Sequence, residues 1–283
     1  SNLQNIKIDK KSNVISVKPI NSFVSKLSLM DDIIEKSSKR KISIIGGGVA
    51  TFELSFALYK RYNGNVSLDI ISDQLLTEKN LNKSSIKTLK KIAKNLNINF
   101  ISKKVIAING SEISLENNEK IQSELILLST GASLPDWLAE SNLKISKNFI
   151  TVNQHLQSLN HKNIFVTGDA ATIKNYKRPK SGVMAVRQGE RLKENLFLFL
   201  LKKPLKKFKP QKNWLYLIGT HKNSAVLNYF NFSFSGNWCW QLKKIIDLNF
   251  MRKFSFSRQN GMNKKIYNLN NLNDDTPKMY CQG

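Results

Sequence analysis

The chain has 283 residues, of which 41% are hydrophobic, enough to build one large core or two moderate ones. Its formal net charge of +25 is typical of proteins that bind nucleic acid or an anionic membrane, so both are considered as partners. The lysines are spread through almost every segment among many Asn and Ile residues, and no long arginine-rich block accompanies them. This pattern favours a compositional origin of the charge over nucleic-acid binding.

The apolar runs, the cysteines and the histidines indicate whether the chain has a membrane span, a dithiol or a metal site. No run of about 18 uncharged apolar residues is present, so we expect no membrane span. Cys239 and Cys281 lie far apart without C-x-x-C spacing, which argues against a redox-active dithiol and favours a reducing, cytoplasmic location. The histidines His155, His161 and His221 have no metal-ligand spacing, and we therefore expect no metal site.

Residues 41–101 show the clearest pattern of secondary structure. Apolar runs predict strands over 42–45, 66–71 and 98–101, and helical periodicity predicts helices after Val49 and over 84–96. The order β-α-β-α-β predicts a right-handed parallel sheet.

The next segments change character. Short alternating strands joined through Asn109-Gly110 predict an inserted antiparallel hairpin. Buried strands are expected over 124–128 and 163–166, followed by a long helix from Gly182 to about Leu201. A C-terminal region should then contain two strands, Trp214–Ile218 and Ala225–Phe230, and an apolar-aromatic helix over Asn237–Phe254.

A glycine turn between the first strand and helix is the leading candidate site. Gly46-x-Gly48 lies where such a turn lets the backbone approach a pyrophosphate and directs helix N-H groups at it. The third glycine of G-x-G-x-x-G falls at Thr51, so the match is partial. A purely structural turn of another α/β protein is the alternative.

Nucleotide preference should be set near the end of the second strand. An acidic residue there would hold the adenosine ribose of NAD, whereas a small polar residue would admit the phosphate of NADP. Ser72 and Asp73 occupy this neighbourhood. Asp73 at the ribose would favour NAD, and Ser72 at that position would leave NADP open.

Three motifs in order carry a family resemblance. The run from Ile44 to Leu54 resembles the NAD(P)H-binding turn of the pyridine nucleotide-disulfide oxidoreductase superfamily, which implies that Glu53 faces the nicotinamide. Ser129-Thr130-Gly131-Ala132 resembles the second strand-end glycine motif, which adds Gly131 to the NAD(P)H site. Val166-Thr167-Gly168-Asp169-Ala170 resembles the segment whose Asp binds the ribityl chain of FAD. The implied cofactors are FAD and NAD(P)H.

A fourth motif is similar to that of type II NADH dehydrogenases. Ala185-Val186-Arg187-Gln188-Gly189 resembles their flavin-adjacent A-x-x-Q-G helix, which implies FAD contacts from Ala185 and Gln188. Quinone-reducing members often carry two successive glutamines, whereas this chain has Arg187 in the first place, so quinone is one candidate acceptor and not a firm assignment. The resemblance implies hydride transfer from nicotinamide to flavin and then to a small-molecule acceptor, with no specific catalytic residue assigned.

The resemblance also implies a domain plan. The expected fold class is α/β, a two-dinucleotide-binding-domain flavoprotein with a Rossmann-like parallel sheet, an inserted antiparallel hairpin and an incomplete FAD domain, because no glycine-rich turn precedes Lys41. The expected divisions are a remnant of the first FAD segment (1–39), the NAD(P)H-binding domain (40–150), a returning FAD segment (151–203), a C-terminal β-hairpin with an amphipathic helix (204–257) and a linker (258–283).

The C-terminal part suggests further partners. Trp238–Asp247 resembles flavoprotein domains fused to selenide, water dikinase, and Met279–Gly283 resembles the opening of the cysteine-glycine motif of that enzyme, so we expect a fused dikinase. The aromatic stripe over 238–254 favours packing on its own domain, with peripheral contact at the inner face of the membrane as the alternative. The rival to the oxidoreductase function is a non-catalytic basic module that binds a nucleotide and docks on membrane or nucleic acid.

Overall fold

The computed structural model describes residues 6–9, 11–76, 81–131, 134, 136–146, 148–176, 180–210 and 214–255. It contains two compact units. In the described part of the chain, unit 1 comprises the residues up to Thr130 and those from 214 onward, and unit 2 comprises the residues between them.

The elements of unit 1 alternate between strands and helices. Its N-terminal part contains β1 (Lys7–Ile8), β2 (Val14–Ser16), α1 (Ile20–Val24), α2 (Leu27–Lys36), β3 (Lys41–Ile45), α3 (Val49–Arg61), β4 (Ser67–Ile71), α4 (Lys83–Asn95), β5 (Asn99–Ile101), β6 (Val105–Asn109), β7 (Glu112–Leu115), β8 (Lys120–Gln122) and β9 (Leu125–Leu128). Its C-terminal part contains β13 (Leu215–Gly219), β14 (Ala225–Tyr229), β15 (Phe232–Gly236) and α7 (Asn237–Ser255).

A five-stranded parallel sheet forms the centre of unit 1. The strand order is β2-β9-β3-β4-β5, and every neighbouring pair is parallel. All four residues of β9 are buried Ile or Leu, and β3 is buried from Ile42 to Ile45 with Ser43 among its isoleucines, as strands covered on both faces should be. The predicted β-α-β-α-β unit and its parallel sheet are confirmed, and β2 adds an edge strand from the segment that precedes it.

A second sheet of unit 1 contains the predicted hairpin. Its order is β1-β6-β7-β8, with β6 and β7 antiparallel across the turn at Gly110. Gly110 has φ of 61°, a left-handed conformation that glycine adopts without steric cost. The hairpin prediction is confirmed, and β8 extends it to a meander.

The C-terminal part of unit 1 is a three-stranded antiparallel sheet followed by α7. The strand order is β13-β14-β15, so the predicted two-stranded hairpin gains a third strand, Phe232–Gly236. This strand was missed because the alternation of Phe and Ser covers only four residues, the shortest run that indicates a strand. Both of its phenylalanines are exposed. Asn82, the N-cap of α4, donates to the carbonyls of Phe230 and Phe232. These two hydrogen bonds attach the C-terminal sheet to the start of α4.

Unit 2 has a small sheet and one long helix. Its elements are α5 (Asp136–Ala139), β10 (Ile145–Ser146), β11 (Phe149–Val152), a 3-10 turn (Gly168–Ala170), β12 (Ala171–Ile173) and α6 (Gly182–Leu200). The strand order is β10-β11-β12. The strand predicted over 163–166 does not form a ladder, because Phe165 makes only an isolated bridge to Gln157.

The two units divide the chain differently from the predicted domain plan. The first change of unit falls after Thr130 rather than at residue 150. Residues 7–16, expected to be an FAD-segment remnant, supply β1 and β2 to two of the three sheets of unit 1. The C-terminal region belongs to unit 1 as well. The predicted linker, 258–283, lies outside the described residues.

Candidate functional site

The turn from β3 to α3 is held by backbone hydrogen bonds on both sides. The Gly46 N-H donates to the Ile71 carbonyl at 2.9 Å, and the Gly47 carbonyl accepts from the Leu76 N-H at 2.8 Å. Gly48 is the N-cap of α3 and is solvent-exposed. The turn therefore presents the positive end of a 13-residue helix to solvent.

The three successive glycines of this turn have different surroundings. A Cβ atom on Gly46 would lie 2.3 Å from the Ser129 carbonyl oxygen, and one on Gly47 would lie 1.9 Å from the Gln74 carbonyl oxygen. A Cβ atom on Gly48 would meet no protein atom within 4 Å. The fold thus requires Gly46 and Gly47, whereas the space above Gly48 is open to a ligand.

Thr51 occupies the place of the third glycine in the fingerprint. Its side chain is fully buried, and the two hydroxyls of Thr51 and Ser129 form a hydrogen bond of 3.1 Å. The helix and the end of β9 therefore accommodate a hydroxyl where the motif usually has hydrogen, because Ser129 gives it a polar partner. The chain therefore forms the strand-turn-helix arrangement of the fingerprint although Thr51 replaces its third glycine.

Ser72 and Asp73 are clearly distinguished by burial. Ser72 is only 4% exposed, and its Oγ accepts from the Gln74 N-H at 3.1 Å beneath Gly47. Asp73, one residue further along, is exposed. Asp73 is therefore the residue of this pair that can meet a nucleotide ribose beside the turn.

Glu53 lies in a buried charge cluster of unit 1. Its Oε1 accepts from the Gly219 N-H at 2.8 Å and lies 3.5 Å from Nζ of Lys243, whose Nζ is also 3.5 Å from a carboxylate oxygen of Asp247. Burial raises the pKa of the Glu53 carboxyl, and the charge of Lys243 and the Gly219 N-H oppose that rise. The cluster ties the first turns of α3 to β13 and α7, a connection that sequence reasoning missed.

The predicted flavin-segment residues meet one another in unit 2. Gly168, with φ of 68°, donates its N-H to Oε1 of Gln188 at 2.6 Å. A Cβ atom on Gly168 would contact the Cβ of Ala185 at 3.5 Å, so α6 packs closely on the turn that carries Asp169. Gln188 is 3% exposed and holds this turn through its carbonyl oxygen. Its NH2 group is the part that can donate to a cofactor.

A small cavity adjoins this turn. Its lining residues come from the 3-10 turn, β12, the loop between β12 and α6, and the first turns of α6, namely Gly168, Ala171, Thr172, Ile173, Tyr176, Lys180, Ser181, Met184 and Gln188. Lys180 is the cation of this lining, and no motif drew attention to it in the sequence. Gly131, also in unit 2, is exposed with φ of 98°, as a glycine-specific turn requires.

Three other findings on the described chain bear on function. None of its helices combines the length and apolar character needed to cross a bilayer. Within the same residues, no cluster of three or more His, Cys, Asp or Glu side chains is placed to bind a metal ion. Cys239 is buried in α7, and burial raises the pKa of its thiol.

The fold and the glycine turn together define a class of protein. A parallel sheet in which a strand leads through a glycine turn into a helix N-terminus is the architecture of dinucleotide-binding α/β proteins. Residues 10–189 match the family model for pyridine nucleotide-disulphide oxidoreductases. The chain belongs to this family, and the resemblance at superfamily level and the expected α/β fold class are confirmed.

Individual relatives are more distant. Ferroptosis suppressor protein 1 of Taeniopygia guttata is 24% identical over 216 residues, which cover 71% of this chain and 57% of that protein. The chain thus spans little more than half the length of this curated relative. NDH2 of Plasmodium falciparum, solved in complex with NADH, has a TM-score of 0.73 at 16% identity. The alignment covers 88% of this chain and 72% of that one.

A second solved structure names the other expected cofactor. An FAD-dependent pyridine nucleotide-disulphide oxidoreductase from Desulfovibrio vulgaris has a TM-score of 0.58 at 18% identity, covering 81% of this chain and 57% of that one. These likenesses show the fold. The individual site residues and the dikinase fusion stay predictions, and Met279–Gly283 lie outside the described residues.

Proposed function

We propose that the chain carries the NAD(P)H-binding unit and the returning flavin segment of an FAD-dependent NAD(P)H oxidoreductase. The observation that carries this proposal is the open space above Gly48 at the N-terminus of α3, next to two glycines that the fold itself requires. When bound, the cofactors supply the hydride chemistry, and the protein supplies binding, orientation and electrostatics.

The residues of unit 1 have distinct tasks in this proposal. The α3 N-terminus and the bare Gly48 backbone receive the pyrophosphate, because free N-H groups and the helix dipole favour an anion there. Asp73 receives the adenosine ribose and repels a 2′-phosphate, so NADH is preferred to NADPH. Glu53 faces the nicotinamide side, and Lys243 fixes its carboxylate.

The residues of unit 2 hold the flavin. Gly168 and Gln188 shape the turn that directs Asp169 towards the ribityl chain, and Ala185 keeps α6 close to it. The electron acceptor is a small molecule. Arg187 is exposed and stands where quinone-reducing relatives often carry glutamine, so we do not assign quinone.

Substitution of Gly48 tests the nucleotide site without disturbing the fold. Gly48→Leu should weaken NADH binding at least tenfold, roughly 1.4 kcal/mol or more, because the side chain fills the space of the pyrophosphate. The melting temperature should fall only slightly, since nothing lies within 4 Å of the new Cβ and the remaining cost is that of an apolar N-cap. Isothermal titration calorimetry and thermal melting are the measurements.

Gly189→Leu is the matched control. Gly189 is also exposed, and a Cβ atom there would also meet nothing within 4 Å, but it belongs to α6 of unit 2 and not to the turn between β3 and α3. Equal NADH affinity in the Gly48→Leu and Gly189→Leu variants would remove the nucleotide assignment. Stoichiometric flavin absorbance in the polypeptide that carries this chain tests the FAD part of the proposal.

Peripheral membrane contact is a second proposal, together with a cytoplasmic location. Trp238, Ile245 and Met251 on α7 are 53%, 56% and 42% exposed, although Cys239 and Lys243 of the same helix are buried. Exposed apolar groups beside Lys244 and Arg252 suit an anionic bilayer surface. Co-sedimentation with vesicles containing phosphatidylserine should fall in an Ile245→Asp variant, and unchanged or absent binding would refute this contact.

A further inference from the structure

Lys180 has an unusual position for a lysine. It directly precedes Ser181, the N-cap of α6, and its ammonium lies against the Ala171 carbonyl oxygen and 4.0 Å from the centroid of the Phe149 ring. A carbonyl and an aromatic face are the partners that a cation accepts when it leaves water. The ammonium is therefore held inward rather than extended into solvent.

The charge of this ammonium is only partly compensated by the protein. Burial lowers the pKa of Lys180 to about 8, and the charge of Asp169 opposes that lowering. An ammonium has three N-H donors. The Ala171 carbonyl takes one of them and the Phe149 ring occupies one side, so donor capacity is left for an electron-rich ligand.

The Lys180 side chain lines the small cavity beside the Gly168 turn. Lys180 shares its lining with Gly168 and Gln188, two residues already assigned to the flavin segment. The hydroxyl-bearing residues Thr172, Tyr176 and Ser181 line it as well, so the cavity combines one cation with several polar groups. Such a lining suits oxygen and nitrogen acceptors of a flavin better than an apolar substrate.

We propose that Lys180 is a further FAD-binding residue, which donates a charge-assisted hydrogen bond to an electron-rich oxygen of the ribityl or isoalloxazine half of the cofactor. This proposal rests on the proposed function. A partly dehydrated ammonium that is already held in place makes a stronger bond than a solvated surface lysine, because less ordering is needed on binding.

The test uses the polypeptide that carries this chain, stripped of flavin and titrated with FAD. Lys180→Met should weaken FAD binding roughly ten- to a hundredfold, the range expected for loss of one hydrogen bond to a charged group. Lys180→Arg should retain affinity within a few-fold. The control Lys174→Met removes an exposed lysine of the same unit and should bind FAD as the parent does.

Three readouts separate cofactor contact from a structural role. FMN, which lacks the adenylate half, should suffer the same fold-loss from Lys180→Met as FAD does, and the visible absorption band of the bound flavin should shift. The melting temperature of the flavin-free Lys180→Met protein should match that of Lys174→Met.

Several results would overturn the proposal. Equal FAD affinity in Lys180→Met and Lys174→Met would do so, as would a loss of affinity that Lys180→Arg does not rescue and that follows a lower melting temperature without flavin. If the parent polypeptide binds no FAD, both this proposal and the flavin part of the proposed function fall. If FAD binds but Lys180→Met has no effect, the proposed function stands and Lys180 is not a cofactor contact.

Discussion

Lys243→Met is the substitution that best tests the buried charge cluster between α3 and α7. The methionine keeps much of the lysine stem but removes the ammonium that lies 3.5 Å from carboxylate oxygens of both Glu53 and Asp247. The side chains of Lys243 and Glu53 are 8% and 10% exposed. The substitution therefore leaves a buried carboxylate without its cation.

The expected cost follows from these distances. At an effective dielectric constant of about 20, two unit charges 3.5 Å apart attract by about 5 kcal/mol, which desolvation of the pair offsets in part. Removing one partner of a buried pair typically costs about 3–5 kcal/mol. Protonation of Glu53 removes its buried charge and so reduces this cost. We therefore expect Lys243→Met to lower the free energy of unfolding by about 3 kcal/mol at pH 8 and by less at pH 5.

The sign of the pH dependence is fixed by the direction of the pKa shift. Burial raises the folded-state pKa of Glu53 above its usual 4.5, so the folded protein binds more protons than the unfolded chain in that window. The contribution of Glu53 to the free energy of unfolding is therefore fully present below pH 4.5 and is lost as the pH rises through the folded-state pKa of its carboxyl. Lys243→Met should extend that loss to higher pH, because the opposing charge is gone.

Urea unfolding followed by tryptophan fluorescence measures these differences, and Trp240 beside Gly219 reports on the cluster. The double variant Glu53→Gln with Lys243→Met should be more stable than Lys243→Met alone, because a neutral amide replaces the stranded carboxylate while still accepting from Gly219. A cost below about 1 kcal/mol at pH 8, or a double variant no more stable than the single one, would refute the reasoning.

Three further predictions concern other parts of unit 1. Asn82→Ala should lower the free energy of unfolding by about 2–3 kcal/mol in urea titrations, since the side chain caps α4 and donates to two carbonyls of the C-terminal sheet; a loss under about 0.5 kcal/mol would contradict this. Asp73→Asn should raise the ratio of NADPH to NADH affinity roughly tenfold in calorimetry, and an unchanged ratio would argue against ribose contact. Gly47→Ala should lower the melting temperature more than Gly48→Ala does, because only the former places Cβ against a carbonyl oxygen; equal melting would show that the turn can relax.

The parallel sheet was predictable because its strands carry local signals. The buried run Ile42–Ile45, the glycines after it and the helical periodicity after Val49 lie next to one another in the chain, so a short window contains the whole turn. The Gln188 amide and the Gly168 turn could also be placed from motifs, although their hydrogen bond could not.

The remaining contacts join distant segments without a local pattern. Glu53 and Gly219 are 166 positions apart, and Asn82 meets the carbonyl of Phe232 at a separation of 150. Lys180 is one of many lysines in a chain of +25 net charge, so its partial burial gave no compositional signal. The domain plan differed because residues 7–16 add to sheets built mainly from later strands.

The glycine run also offers a way to compare relatives of this chain. A homologue with side chains in place of Gly46 or Gly47 must have rebuilt the path of the backbone, because those positions face carbonyl oxygens. A homologue that keeps both but carries a large residue in place of Gly48 can have the same fold with the proposed nucleotide site blocked. Under the proposed function, the residue at this one position separates homologues that keep only the fold from those that can still bind a reduced nicotinamide.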